Sequence, residues 1–162
     1  MVMKKSALYL ALIALPLAFS CNQGGDKSSE LKDSTMIDTA DAPVSNECFI
    51  AVDGVDTAHL NVITSKLGKV TGGLIIKYHE KATNDGLIDG KFRGDTLFVD
   101  YTFKIGENKT IYKNPLALLK KDGKLVLGVG QIETSLGRSY FVKGKPINFE
   151  RGRFTFAPTE CK

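Results

Sequence analysis

The sequence predicts an all-β domain, a single antiparallel barrel of about eight strands that is closed or nearly closed. The first observation is alternation, because from Cys48 onward apolar and β-branched residues alternate with polar ones. The second is the recurrence of turn residues, such as Asp53-Gly54 and Asp122-Gly123, between the alternating segments. No strand pattern is followed by a long helical pattern, which argues against a parallel α/β sheet.

The strand pattern is clearest in residues 96–104, where Leu97, Val99, Tyr101 and Phe103 share one face. Many short strands of this kind are typical of a barrel or a sandwich. Strands are predicted at 48–53, 58–64, 70–81, 87–93, 96–104, 116–121, 124–133, 138–143, 147–150 and 153–157. Turns are predicted at Asp53-Gly54, Asn84-Asp85-Gly86, Gly94-Asp95 and Asp122-Gly123.

Residues 114–123 fit two patterns. Asn114 as a cap, Pro115 in the first turn and Gly123 after the last residue would suit a short helix. As a strand, the segment would carry Pro115 at an edge or a bend. The strand is favoured because the Asp122-Gly123 turn leads directly into another clear strand.

The amino-terminal segment predicts export. Lys4 and Lys5 precede an apolar run at 7–19, which has the length of a signal-peptide core and is too short to span a bilayer. The stretch Ala18-Phe19-Ser20-Cys21 that ends this run resembles the lipobox of bacterial lipoproteins. The alternative is an ordinary secreted protein that is cleaved near Ser20 and keeps Cys21 as a free thiol.

The lipobox resemblance implies a membrane anchor. Residues 1–20 would be a signal peptide, and Cys21 would carry a diacylglycerol and an amino-terminal acyl chain such as palmitate. Stable attachment to a membrane takes two anchoring signals, and these acyl chains together exceed that number. The protein would thus be bound to its membrane through this anchor alone. Residues 21–46 are polar and contain few large apolar groups, which predicts a flexible tether. The barrel domain is then expected at 47–162.

The cysteines fit the same interpretation. The chain has three, Cys21, Cys48 and Cys161, and an odd number in an exported protein requires an explanation. If Cys21 carries lipid, Cys48 and Cys161 remain as one pair, which an oxidising compartment allows to close. Because they lie near the two limits of the strand-rich region, a disulfide between them would join the first and last strands.

The strand-rich region from Cys48 to Cys161 resembles a group of uncharacterised small lipoproteins of Bacteroidetes-type bacteria. The resemblance is carried by GDTLFVDYTF (94–103) and GKLVLGVGQ (123–131). It implies a cell-envelope location and a β-rich fold but no activity. The predicted barrel is similar in plan to the lipocalins, in which an eight-stranded barrel can hold a small ligand.

The residue pattern gives no sign of catalysis, of a cofactor or of a metal site. The two histidines, His59 and His79, are separate and are expected at the surface, and no Cys-x-x-Cys pair is present. Two of the carboxylates Asp85, Asp89, Asp95 and Asp100 could act as acid and base if turned inward, but a surface position is expected. The protein is therefore predicted to be no enzyme.

Two further features of the sequence concern its glycines and its net charge. Gly128 and Gly130 lie on one face of a predicted strand, where glycines mark a bend, a bulge or the close approach of a backbone or ligand. The formal net charge is +4, and loss of Lys4 and Lys5 with a signal peptide would leave +2. No basic stripe with interleaved aromatic residues appears, so no nucleic acid partner is expected.

Two functions remain open from the sequence. The first is a lipid-anchored binding module for a small apolar molecule or an envelope component. The second is a protein-interaction module, either an accessory subunit of an envelope complex or an inhibitor of a host enzyme such as lysozyme. Asn22 after Cys21 lacks the Asp that resembles an inner-membrane retention signal, so the outer membrane is expected, facing the periplasm or the cell surface. A lined cavity inside the barrel would favour the first function, and a filled interior with an exposed apolar patch the second.

Overall fold

The computed structural model describes residues 41–161. They form ten β-strands: β1 Pro43–Asp53, β2 Asp56–Ser65, β3 Lys69–Lys77, β4 Asn84–Arg93, β5 Thr96–Ile105, β6 Tyr112–Lys121, β7 Lys124–Leu127, β8 Ile132–Ser135, β9 Arg138–Phe141 and β10 Thr155–Thr159. This part of the chain contains no helix that is long and apolar enough to cross a membrane.

Eight of the strands close into an antiparallel barrel in the order β1-β10-β7-β6-β5-β4-β3-β2. β1 to β7 follow one another around the wall as an up-and-down meander, and β10 closes the wall between β7 and β1. β8 and β9 form a separate two-stranded hairpin. The prediction of an all-β, antiparallel barrel of about eight strands is confirmed.

Two-residue turns join three pairs of neighbouring strands, as the sequence predicts. The residue pairs that flank them are Asp53↔Asp56, Arg93↔Thr96 and Lys121↔Lys124. In the last of these turns Asp122 and Gly123 have φ values of 50° and 73°. Both values are those of a type I′ turn, whose twist matches that of the flanking strands and which favours Asp-Gly.

The side chains that point inward fill the barrel. Every second residue of the barrel strands faces the interior, and the buried apolar residues form one contiguous cluster. The largest fully buried side chains include Phe156, Leu60, Ile88, Leu97, Leu118 and Leu125. The gap that reaches Phe49, Val62 and Leu125 has a volume of only about 10 Å³. The barrel encloses a packed core at this point and no room for a ligand.

One polar group in this core finds its partner inside the barrel. The Tyr101 hydroxyl donates a hydrogen bond to the carbonyl of Leu74 at 2.9 Å, and the ring stacks on Phe103 with 4.5 Å between centroids. Burial raises the pKa of this hydroxyl well above its usual range. Tyr101 therefore remains a neutral donor, which meets the requirement that a buried polar group be paired.

The disulfide predicted from the cysteine count is present. Cys48 and Cys161 are bonded, with 5.2 Å between their Cα atoms and a sequence separation of 113. Cys48 lies within β1, opposite Thr159 of β10, and Cys161 follows β10 by two residues. The bond therefore joins the first strand of the barrel to the end of the last.

β1 begins at Pro43, four residues before the expected start of the domain at residue 47. Pro43 and Ser45 pair with Ser65 and Thr64 of β2. Residues 43–46, which the sequence assigns to the tether, thus belong to the barrel wall. These four residues, PVSN, show no alternation that predicts a strand, and the strand continues there because β2 supplies hydrogen-bonding partners.

The turn predicted at Asn84-Asp85-Gly86 is wrong, because these residues begin β4. Gly86 faces the interior, and a Cβ there would overlap the main chain of Thr102 and the Phe103 residue of β5. This glycine allows a close approach of two strands, which is the other common reason for glycine in a strand.

The two alternatives for residues 114–123 are also decided. Residues 112–121 form β6, and Pro115 pairs with Asp100 of β5 within the wall. The strand favoured from the sequence is confirmed.

The last part of the barrel differs from the prediction. The strand expected at 124–133 ends at Leu127, and β8 begins only at Ile132. The segment 147–150 is no strand, since Asn148 forms a single bridge to Val129. The chain leaves the wall after β7, builds the β8–β9 hairpin on the outside and returns as β10.

Candidate functional site

The residues singled out from the sequence lie on the outer surface. His59 and His79 are both exposed. Within residues 41–161, no group of three or more His, Cys, Asp or Glu side chains is placed to hold a metal ion. Cys21 lies outside the described residues.

The four candidate carboxylates do not meet inside the barrel. Asp95 lies in the β4–β5 turn, and Asp85 is exposed on the outer face of β4. Asp89 and Asp100 are directly opposite each other on the outer wall, and each faces a cation. Lys69 lies 3.3 Å from Asp89, and Lys113 lies 2.9 Å from Asp100. Asp89 and Asp100 are therefore surface carboxylates whose charge is neutralised by a neighbouring lysine.

The β8–β9 hairpin covers part of the outer wall. Phe141 of β9 contacts Phe98 of β5 edge to face, with 6.5 Å between ring centroids. Pro115 and Ala117 are buried although they pair with the outward-facing Asp100 and Phe98. The hairpin and the connections around it thus build a second, smaller apolar layer outside the barrel.

Gly128 and Gly130 belong to this layer. A Cβ on Gly128 would lie 2.5 Å from Ile147 Cγ2 and 2.6 Å from Phe149 Cε1, and one on Gly130 would lie 2.8 Å from Phe141 Cδ1. All three distances are too short for real atoms. The close approach to these two glycines is made by side chains of the protein itself. These side chains occupy the space in which the sequence left a ligand as the alternative.

Between the hairpin and the wall runs a groove of about 860 Å³, called here the hairpin groove. Its floor is the outer face of β4 and β5, and one side is formed by β9. Four cationic side chains and two carboxylates line it, together with aromatic and hydroxyl groups. The charged ones are Lys69, Lys91, Arg93, Arg138, Asp89 and Asp100.

The positive charge of the hairpin groove is only partly balanced. Asp89 is paired with Lys69, and Asp100 with Lys113, with Arg138 at 3.7 Å. The ion pairs found in residues 41–161 do not include Lys91 or Arg93. The Arg93 guanidinium lies over the Phe98 ring, 5.3 Å from its centroid.

A second groove of about 470 Å³, called here the disulfide groove, lies on the outer face of β1 to β4. Ile50, Ile75 and Leu87 give it an apolar lining, and Leu87 is 70% exposed. Gly73 deepens it, because a Cβ there would have no atom closer than 3.8 Å. Its remaining borders include Cys48, His59, Asn61, Asp85, Thr159 and Glu160.

A charged network fastens one end of the barrel. Arg153, just before β10, donates hydrogen bonds to Asp53 at 2.7 Å and to Asp56 at 2.8 Å, across the β1–β2 turn. The backbone N–H of His79 and then the Arg153 side chain hold the pKa of the Asp56 carboxyl below its ordinary value. These bonds position the start of β10, and their residues line neither of the two grooves.

Comparison with protein-family models, with curated proteins and with solved structures finds no match. The site therefore rests on its own geometry. Sequence reasoning missed both grooves, although two signals pointed to the first. Phe98 stands among polar residues on its face of β5, and residues 116–119 are apolar without alternation. Both indicate a wall that is covered on both sides.

Proposed function

We propose that this protein is a lipid-anchored module of the bacterial cell envelope that binds a protein partner through the outer wall of its barrel. The observation that carries the proposal is the division between a filled interior and concave outer surfaces. The core residues form one packed cluster, whereas the grooves of about 860 and 470 Å³ lie on the outside. Of the two functions open from the sequence, this division favours the protein-interaction module.

The anchor follows from the amino-terminal sequence. Cys21, at the end of the stretch Ala18-Phe19-Ser20-Cys21, carries the lipid, and residues 1–20 are removed. The disulfide supports export, since such bonds persist in oxidising compartments. The outer membrane is the proposed location, because the residue after Cys21 is Asn22 and not the Asp of an inner-membrane retention signal. The role is non-enzymatic.

Substitution Cys21→Ala is expected to abolish lipidation and to release the protein from membranes. Without the cysteine thiol no diacylglycerol can be attached, and an unanchored domain has no stable hold on a bilayer. Metabolic labelling with an alkynyl fatty acid and membrane fractionation measure the two effects. Cys48→Ala with Cys161→Ala serves as the control, since it removes the two other cysteines together and should retain the label. Label retained in the Cys21→Ala protein would contradict the anchor.

A second function is favoured by one observation. The lining of the disulfide groove by Ile50, Ile75 and Leu87 suits a small apolar molecule, and its volume of about 470 Å³ is that of many ligand sites. The ligand would then lie on the wall, beside the bond between Cys48 and Cys161, and not inside the barrel.

Crosslinking in cells separates the two functions. A photoreactive phenylalanine analogue is placed at Tyr140 in the hairpin groove, at Leu87 in the disulfide groove, or at Val55. Val55 is 70% exposed at the β1–β2 turn and lies outside both grooves. We expect a protein adduct at Tyr140 well above the Val55 control. A low-mass adduct at Leu87 alone would favour the small apolar molecule. No adduct at either groove above the control would contradict binding through the wall.

A further inference from the structure

We infer that the hairpin groove binds an extended, acidic segment of the partner protein, which adds as a third strand to the free edge of β9. The inference rests on the proposed function and names the site and the chemistry of the partner. Three observations carry it: the free strand edge, the uncompensated cations beside it and the unusual turn at the hairpin tip.

β9 presents main-chain groups without a strand partner in residues 41–161. Val142 donates its N–H to the Gln131 carbonyl, one pair beyond the hairpin strands. Because bonded pairs alternate along an antiparallel ladder, Arg138 and Tyr140 also bond to β8. The N–H and C=O groups of Ser139 and Phe141 must then point away from β8.

The free edge borders the hairpin groove. β9 contributes all of Arg138–Phe141 to the groove lining, whereas β8 contributes only its last residue, Ser135. The groove thus runs along β9, with which no strand of residues 41–161 other than β8 pairs, although β6 packs nearby. Unpaired edges of this kind accept an extended peptide, which gains main-chain hydrogen bonds from the edge.

The charge of the groove selects an acidic partner. Both carboxylates of the groove already face cations, whereas Lys91 and Arg93 lack a carboxylate partner in residues 41–161. Lys91 pairs across the ladder with Phe98, so cationic and aromatic groups lie side by side on the floor. Alternate side chains of an added strand would point toward this floor, where acidic residues find partners.

The turn at the tip of the hairpin is energetically unfavourable in the free protein, and this supports a role for it in binding. Leu136 has a φ of 50° and its side chain is fully exposed. A bulky apolar residue is unfavourable in this backbone region, and Asn is the residue preferred there before Gly. Leu136 makes no contact with the barrel that would offset its unfavourable backbone conformation or the exposure of its side chain. Because Leu136 lines the hairpin groove, a bound segment would lie against it.

The test uses the full chain and two seven-residue peptides, one alternating Glu and Val and one alternating Lys and Val. We expect the Glu peptide to bind at least about tenfold more tightly, the effect of two charge pairs. Methylation of its backbone nitrogens at every second residue should abolish binding in one frame and preserve it in the other. Equal binding of the two methylated peptides, or binding of the Lys peptide as tight as that of the Glu peptide, would overturn the inference.

Variants of the protein locate the site. Lys91→Glu with Arg93→Glu should weaken the Glu peptide roughly tenfold. The control pair Lys104→Glu with Lys109→Glu changes the net charge equally outside the groove and should have little effect. Leu136→Asn should leave the melting temperature unchanged or raise it while it weakens binding. Equal weakening by both charge pairs would show that the groove is not the site.

Two results separate this inference from the proposed function. Polygalacturonate is a polyanion without a peptide backbone. If it displaced the Glu peptide at equal carboxylate concentration, the groove would recognise charge alone and the added strand would be wrong. A protein adduct at Tyr140 in cells would retain the proposed function in that case. If the peptide bound in only one of the two methylation frames but no adduct formed in cells, the added strand would be retained and the proposed function would be contradicted.

Discussion

Removal of the bond between Cys48 and Cys161 is expected to lower the free energy of unfolding by about 2–5 kcal/mol. The bond closes a loop with a sequence separation of 113, so that the unfolded chain loses much conformational freedom. It also lies where β10 pairs with β1 through only a few residues, from Cys48↔Thr159 to Ile50↔Ala157. For a domain of this size the melting temperature should fall by roughly 8–25 °C.

Thermal melts of the wild type with and without reductant measure this effect, and Cys48→Ala with Cys161→Ala gives the same state by substitution. Reductant should leave the melt of the double variant unchanged, which controls for its effects elsewhere. Peptide mapping under non-reducing conditions should show the two terminal peptides linked. An unchanged melt of the wild type on reduction would contradict the expected contribution.

Phe156→Ala is expected to destabilise the barrel by about 3–5 kcal/mol, the usual cost of a cavity left by a buried aromatic residue. Phe156 is among the largest fully buried side chains, at 1% exposure. It lies on β10, which has only five residues, and it pairs with Leu125 of β7. The short strand that closes the barrel therefore depends on this side chain for its contact with the core.

Urea unfolding of Phe156→Ala measures the loss. The control is Val55→Ala, which also removes apolar atoms but at a 70% exposed turn position and should stay within about 0.5 kcal/mol. Reduced Phe156→Ala would lose about 5–10 kcal/mol in all, comparable with the total stability of about 5–15 kcal/mol of most domains. We expect it to be largely unfolded at 37 °C. A Phe156→Ala protein as stable as Val55→Ala would contradict the packed interior.

The barrel could be predicted from the sequence because its signals are local. Alternation over 96–104 and the Asp122-Gly123 turn each reflect the conformation of neighbouring residues. The disulfide followed from counting the cysteines. The start of β1 at Pro43 could not be predicted, since residues 43–46 are strand only through hydrogen bonds to β2.

Phe98 and the apolar residues 116–119 signal a covered wall, but the grooves themselves could not be predicted, for the same reason. The hairpin groove exists because β9, distant in sequence, packs on β6 and places Phe141 against Phe98, so that β9 stands beside the outer faces of β4 and β5. Lys91 and Arg93 look like ordinary surface residues until the cross-strand register shows which carboxylates are already paired. The pattern Asn84-Asp85-Gly86 predicts a turn, because the sequence does not reveal which glycines meet a neighbouring backbone.

The position of the disulfide has a mechanical consequence. A pulling force applied through the chain before Cys48 and after Cys161 would pass directly across the sulfur–sulfur bond. Only residues 43–47 of β1 lie on the amino-terminal side of that bond, and each could release at most about 3.6 Å of extended chain. Tension along the chain would thus peel a short piece of β1 from β2 and then meet a covalent bond. The remaining wall, from residue 49 to residue 160, would carry no load.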